Sequence, residues 1–232
     1  MPDADYLLSD LLLNAAEKYP DRAALIFPDS QLSYSKLAAL SQTYARAMVG
    51  HGLKRGEHVG ILAINRPEYI ALLFACMFCG TVAVLLNARF RVQELRHATT
   101  HCDLKWIFVG QNEGVPHAAR YLEAYPTLAD ATPGQSLAVP AAPTLERAVA
   151  LDAFDSPGFL TFTEFLAEQT LATPEQLAAR RQEVIASDLA LIMFTSGTTS
   201  LPKGCMLTQQ SVFRTSLAMR NRLSLTIKDC MW

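Results

Sequence analysis

Between Phe194 and Met206 the chain reads FTSGTTSLPKGCM, a stretch of small hydroxyl side chains broken by two glycines, a proline and a lysine. Glycines let backbone N–H groups come close to an anion. Thr and Ser hydroxyls add hydrogen-bond donors with little bulk. Lys203 supplies a mobile positive charge, and Pro202 restricts the backbone just before it. Together these residue types can hold a phosphate chain. A Walker A loop has a different string, G-x-x-x-x-G-K-[ST]. Here Pro202 precedes the lysine and Gly204 follows it, so the hydroxyl that would hold magnesium is missing. Composition alone would fit a solvent-exposed turn equally well.

Such a loop needs a rigid mount. LALIMF (189–194) is a short apolar run that reads as a buried strand. The carboxyl end of a parallel strand is where open α/β sheets bind ligands. After the loop, a helix is expected from Thr208 or Ser211 to about Leu223. Upstream, Ser9 can cap a helix to about Tyr19, RAALIF (22–27) and QLSY read as strands about a Pro28–Asp29–Ser30 turn, and Ser35 can cap a helix to about Val49. HVGILAI (58–64) is a buried strand, residues 92–101 are helical, and LKWIFVG (104–110) is a strand with Trp106 in the core. Helical patterns return near 161–169 and 174–186. Strands alternating with helices predict an α/β fold, with mostly parallel sheets flanked by helices. The expected organisation is an N-terminal α/β subdomain over 1–186, then a second α/β segment from 187–232 carrying the loop. Proline, alanine and small polar residues at 125–143 read as a surface loop or flexible insertion.

The run Tyr69–Leu86 is 18 residues without a charge, the length that raises a transmembrane reading. Pro67 at a helix start, Gly80 at a helix stop and the short TVAVLL run divide it instead into helix, turn and buried strand. No transmembrane segment is therefore expected. Of 232 residues, 50% are hydrophobic and 18% charged, a globular composition with a net charge of −2. No long basic run appears, which argues against a nucleic-acid partner. Five cysteines in mostly apolar surroundings and an acidic N-terminus, MPDADYLLSD, predict reduced thiols and a cytoplasmic protein.

TSGTTSLPKG, flanked by LALIMF and MLT, resembles the phosphate-binding signature of the adenylate-forming (AMP-binding) superfamily. That group includes acyl- and aryl-CoA synthetases, firefly-type luciferases and the adenylation domains of peptide synthetases. LSYSKL (32–37) is similar to the family's L-[ST]-Y-x-x-L element. GTVAVLLNARF (80–90) resembles its G-A-[IV]-x-x-P-[LI]-N stretch, with Leu86 in place of the usual proline. Ser200 stands where glycine is usual, and Gln209 where histidine often follows the MLT-like segment, a change expected to affect a helix start more than the chemistry.

The resemblance implies the N-terminal part of the large domain of an acyl-CoA synthetase-like ligase. In the family a carboxylate attacks the α-phosphate of ATP, giving an acyl-adenylate and pyrophosphate, and the acyl group then passes to a thiol, most often coenzyme A. By match to the motif, Thr195, Ser196, Gly197, Thr198 and Thr199 would cradle the β- and γ-phosphates, with Lys203 as a point cation. Mg2+ would share the neutralisation of charge on the departing pyrophosphate. No residue of this chain is assigned a catalytic or metal-ligating role. The ribose-binding aspartate, most of the acyl pocket and the C-terminal domain with the catalytic lysine would lie beyond Trp232. These 232 residues are accordingly expected to be inactive alone and to need that half in cis or in trans. Two alternatives stay open: a carrier-protein-loading adenylation enzyme, and a non-catalytic remnant or subunit that needs a partner.

Two other clusters have ligand-like spacing. Cys76-x-x-Cys79 sits in an apolar helix and reads as core. His97-x-x-x-His101-Cys102 puts two imidazoles on one helix face, without a further ligand nearby in sequence. Arg89 and Arg91 flank a strand end and could meet a substrate phosphate or a partner, but a solvated charged face is the better reading.

Overall fold

The structure, a computed structural model, describes residues 6–111, 116–132, 135–154, 156–195 and 201–230. Helix α1 (Leu8–Lys18) leads into a hairpin of β1 (Ala23–Phe27) and β2 (Ser30–Ser33), then α2 (Tyr34–Gly50). The sequence suggested Ser9 and Ser35 as caps for these two helices. The observed N-cap positions are Leu7 and Ser33, and the Ser33 side chain accepts from the Lys36 N–H. Ser9 is instead buried, where Arg181 Nε donates to its hydroxyl at 3.4 Å.

Next come β3 (His58–Leu62), α3 (Pro67–Cys79), β4 (Val82–Leu85), α4 (Val92–His101) and β5 (Leu104–Val109). Helix α3 ends at Gly80 in the left-handed conformation, φ 71°, which glycine adopts without a Cβ penalty. The uncharged run 69–86 is thus split by a turn. No helix among the described residues is long and apolar enough to cross a membrane. Leu86, at the position where a proline was expected, donates its N–H to the Ile61 carbonyl at 3.0 Å. A proline there would lose that bond.

Helix α5 (His117–Ala124), strands β6 (Arg147–Ala150) and β7 (Phe159–Thr161), and helices α6 (Phe162–Phe165) and α7 (Pro174–Gln182) complete one side. Most of the described residues of 125–143 are exposed, and the stretch is pinned at a few points. Tyr125, Leu128, Val139 and Ala142 are buried, and a 3-10 turn spans Pro126–Asp130. A few apolar anchors fix this segment despite its Pro/Ala-rich composition.

The main sheet has seven strands in the order β7-β6-β5-β3-β4-β8-β9, where β8 is Leu189–Thr195 and β9 is Lys203–Thr208. All neighbours are parallel except β8 and β9. Strand β8, near the start of segment 187–232, thus adds beside β4 in this same sheet. Helix α8 (Gln209–Arg222) follows, capped by the Thr208 hydroxyl.

Helices cover both faces of the sheet, which is why its central strands are largely apolar, with Lys105 in β5 and His58 in β3 as exceptions. In β5, Trp106 and Phe108 join one core with Leu37, Met48 and Phe165, while Leu104, Ile107 and Val109 join the other with Leu95, Tyr121 and Tyr125.

Candidate functional site

Parallel pairing of β3, β4 and β8 puts their carboxyl ends on one edge of the sheet, and the hydroxyl- and glycine-rich loop leaves from that edge. The sequence suggested a loop running straight towards a helix. The chain instead turns back as β9 and reaches α8 only afterwards. Strand β9, KGCMLT, has no Val or Ile to announce it. It forms by pairing with β8 in a register that ends at Thr195↔Lys203. The two outer members of the motif therefore face each other at the mouth of the hairpin, with Thr195 Oγ1 donating to the Lys203 carbonyl at 3.4 Å.

Both residues are exposed. Among the described residues Lys203 makes no ion pair, so its ammonium is available for an anion. The remaining candidates, Ser196, Gly197, Thr198 and Thr199, and the variant position Ser200, lie outside the described residues. The donors that are described, one hydroxyl and one ammonium without a neutralising carboxylate, are chemically suited to phosphate oxygens.

The base of the hairpin is held by the segment after β4 and by α4. Phe194 packs edge-to-face on Phe90, ring centroids 5.5 Å apart. Pro202 is buried, and its carbonyl lies 3.0 Å from His97 Nε2. This contact changes the reading of the His97–His101 pair. The rings stack at 4.9 Å, but Nε2 of His97 meets a carbonyl oxygen, which requires it to carry a proton. Among the described residues no group of three or more His, Cys, Asp or Glu side chains could hold a metal ion, and Nε2 of His97 is taken up by the Pro202 carbonyl. Nothing in the local sequence could have shown this, because the partner is 105 residues away.

Arg89 and Arg91 are exposed beyond the strand end. Arg91, Gln93, Glu94, Arg120, Leu201 and Pro202 contribute to the wall of an open cavity of about 800 Å³ beside the hairpin. Further along the same edge, Arg66 bridges Glu68 and Asp152, each at 2.7 Å, and Asp152 also accepts from the Gln111 N–H at 2.6 Å. That cluster knits the ends of β3, β5 and β6 together. Cys76 and Cys79 are fully buried in α3, and burial pushes both thiols up from their ordinary range. They are core residues, remote in character from a reactive pair.

Gln209, set apart in the sequence as an unusual residue, is the first residue of α8 and is fully buried. Its Oε1 accepts from the Leu8 N–H at 3.1 Å, and its Nε2 lies 3.5 Å from Met77 Sδ. It bridges α8, α1 and α3, away from the mouth of the loop.

A family profile described as "AMP-binding enzyme" matches residues 12–232. An acyl-CoA ligase, sidI of Aspergillus fumigatus, is 30% identical over 230 residues, covering 98% of this chain and 38% of that protein. The indoleacetate–CoA ligase of Aromatoleum aromaticum is 31% identical over 205 residues, covering 87% of this chain and 35% of that protein. Among solved structures, the long-chain-fatty-acid–CoA ligase FadD1 of Archaeoglobus fulgidus superposes with a TM-score of 0.69 at 21% identity, over 96% of this chain and 41% of that one. That likeness is one of fold. This chain spans 41% and 38% of the length of the first curated relatives it matches.

Proposed function

This chain belongs to the AMP-binding enzyme family, and on that premise we propose that it is the N-terminal, ATP-phosphate-binding part of an AMP-forming carboxylate–CoA ligase. The observation that carries the reading is the hairpin mouth. Thr195 and Lys203 close the β8–β9 ladder at the carboxyl edge of the parallel sheet, bracketing the motif's remaining donors in sequence. In this reading Thr195, Ser196, Gly197, Thr198 and Thr199 hold the β- and γ-phosphates of ATP. Lys203 would neutralise part of the charge that grows on pyrophosphate as it leaves, and a magnesium ion, when bound, would supply further neutralisation there. Donors that are oriented before the step cost no reorganisation during it, which is how such a loop would lower a barrier.

The proposed first reaction joins a carboxylate oxygen to the α-phosphorus of ATP and breaks the bond to the bridging oxygen, releasing pyrophosphate. The second passes the acyl group from AMP to the thiol of coenzyme A. An aliphatic acid is the proposed substrate, following the general likeness to acyl-CoA synthetases. The groups that choose the acid, and the lysine that acts on the adenylate, belong in this reading to the portion of the relatives that this chain does not span. The proposed location is the cytoplasm, in keeping with the free thiols of Cys76, Cys79, Cys102, Cys205 and Cys230.

The test is calorimetric titration of the chain with ATP and with pyrophosphate, each with magnesium. Lys203→Ala is expected to weaken both by about tenfold, the ratio for losing one hydrogen bond to a charged group at an exposed site. Equal affinities for parent and variant would remove Lys203 from the site.

A further inference from the structure

We propose that His97 is a positioning residue for the phosphate loop, acting by holding the peptide plane that carries the Lys203 N–H. This rests on the phosphate-binding reading above and adds to it a residue from a separate helix.

The argument starts from the backbone. The β8–β9 ladder ends at Thr195↔Lys203. Pro202 is the next residue towards the loop tip, and proline has no N–H. Pro202 is a buried residue just beyond the last rung, so its carbonyl needs a donor from elsewhere. His97 Nε2, at 3.0 Å, supplies it. A peptide unit is planar, so the Pro202 oxygen and the Lys203 nitrogen and Cα move as one body. Fixing the oxygen fixes the direction of the Lys203 N–H and the position of the Cα from which its side chain leaves the ladder.

The donor is itself braced. His97 is half-buried on α4, and His101, one turn on, stacks against its ring at 4.9 Å and 16°. On the other stem of the hairpin, Phe194 is packed against Phe90, which directly precedes the α4 N-cap region. Both stems of the loop are therefore referenced to α4 and its approach. One stem is gripped by an aromatic edge, and the other by a single directed hydrogen bond.

Two substitutions separate this role from plain packing. His97→Phe keeps a flat ring for the stack and deletes the donor. His97→Gln places an amide nitrogen near the position of Nε2 and restores it. The first readout is hydrogen–deuterium exchange of residues 201–206 in the ligand-free chain, followed by mass spectrometry. The second is pyrophosphate affinity with magnesium, by calorimetry.

Loss of one half-buried hydrogen bond should speed exchange in this segment and weaken pyrophosphate binding, each about fivefold, in His97→Phe. His97→Gln should return both towards the parent, and the melting temperature, lowered by about 2–4 °C in His97→Phe, should recover with them. Parental exchange and affinity in His97→Phe would overturn the proposal. So would an equal loss in His97→Gln, which would mark the ring itself as what matters. Faster exchange in His97→Phe, together with pyrophosphate binding that is absent or indifferent to Lys203→Ala, would keep the latch and overturn the phosphate-binding reading instead.

Discussion

Replacing Gln209 with methionine tests how the β8–β9 hairpin is tied to the rest of the molecule. The side chains are similar in length and volume, so little packing is lost and no large cavity opens. The acceptor is lost. Leu8 is the first residue of α1, and its N–H is among the four at a helix start that lack an intrahelical partner. In the parent that N–H donates to Gln209 Oε1 at 3.1 Å in a fully buried setting. In Gln209→Met it is buried with no partner, a situation that costs about 1–3 kcal/mol. Taking about 2 kcal/mol, and about 2–4 °C per kcal/mol for a domain of this size, the melting temperature should fall by about 4–8 °C. The assay is urea denaturation beside a thermal scan. The midpoint should drop with the slope unchanged, because the surface exposed on unfolding is the same. Gln209→Ala should cost more, since it adds a cavity beside Met77. A Gln209→Met protein that melts within about 1 °C of the parent would refute the reasoning, since it would put the bridge below about 0.5 kcal/mol.

Gly50→Ala should lower stability by about 3 kcal/mol, read as a loss of denaturation midpoint. A Cβ there would sit 1.8 Å from the Thr170 carbonyl, in a segment pinned by the 3.0 Å bond from Ala172 N–H to the Arg46 carbonyl. Asp188 governs an acid-sensitive share of stability. Burial pushes its carboxyl up, but hydrogen bonds from Arg55 and the Ile185 N–H outweigh this and hold it below its usual 3.8. A lowered folded value means the contribution is present above 3.8 and fades as pH falls through that lower value. Asp188→Asn should thus destabilise at pH 7 and converge on the parent in acid, by urea midpoints along the pH series. A difference that stays constant with pH would deny the carboxylate this role.

How far the sequence announced this molecule varies by element. Helix α3 was legible at both ends because proline and glycine act through local backbone sterics, and these do not depend on the rest of the fold. Helix α4 and strands β3 to β5 were legible because runs of the right length alternate with turns. The caps of α1 and α2 were misplaced by two residues each, since nearby serines offer several local choices and packing selects among them. Strands β6 and β7, four and three residues long, carry too little pattern to register. Strand β9 exists through its partner β8. The outer members of the candidate site, Thr195 and Lys203, are proposed from residue type and motif. That they close one ladder could not be read there, and neither could the bond from His97 to Pro202, because each depends on residues far apart in sequence meeting in space.

The central claim is a reaction that splits ATP between its α- and β-phosphates on behalf of an acid. Its most direct test is exchange of labelled pyrophosphate into ATP by the polypeptide isolated from its source cells, across a panel of aliphatic and aromatic carboxylates. The account predicts exchange that requires one class of acid, with AMP and a CoA thioester formed once coenzyme A is added. ATP turnover that ignores the acid and yields ADP and orthophosphate would contradict it.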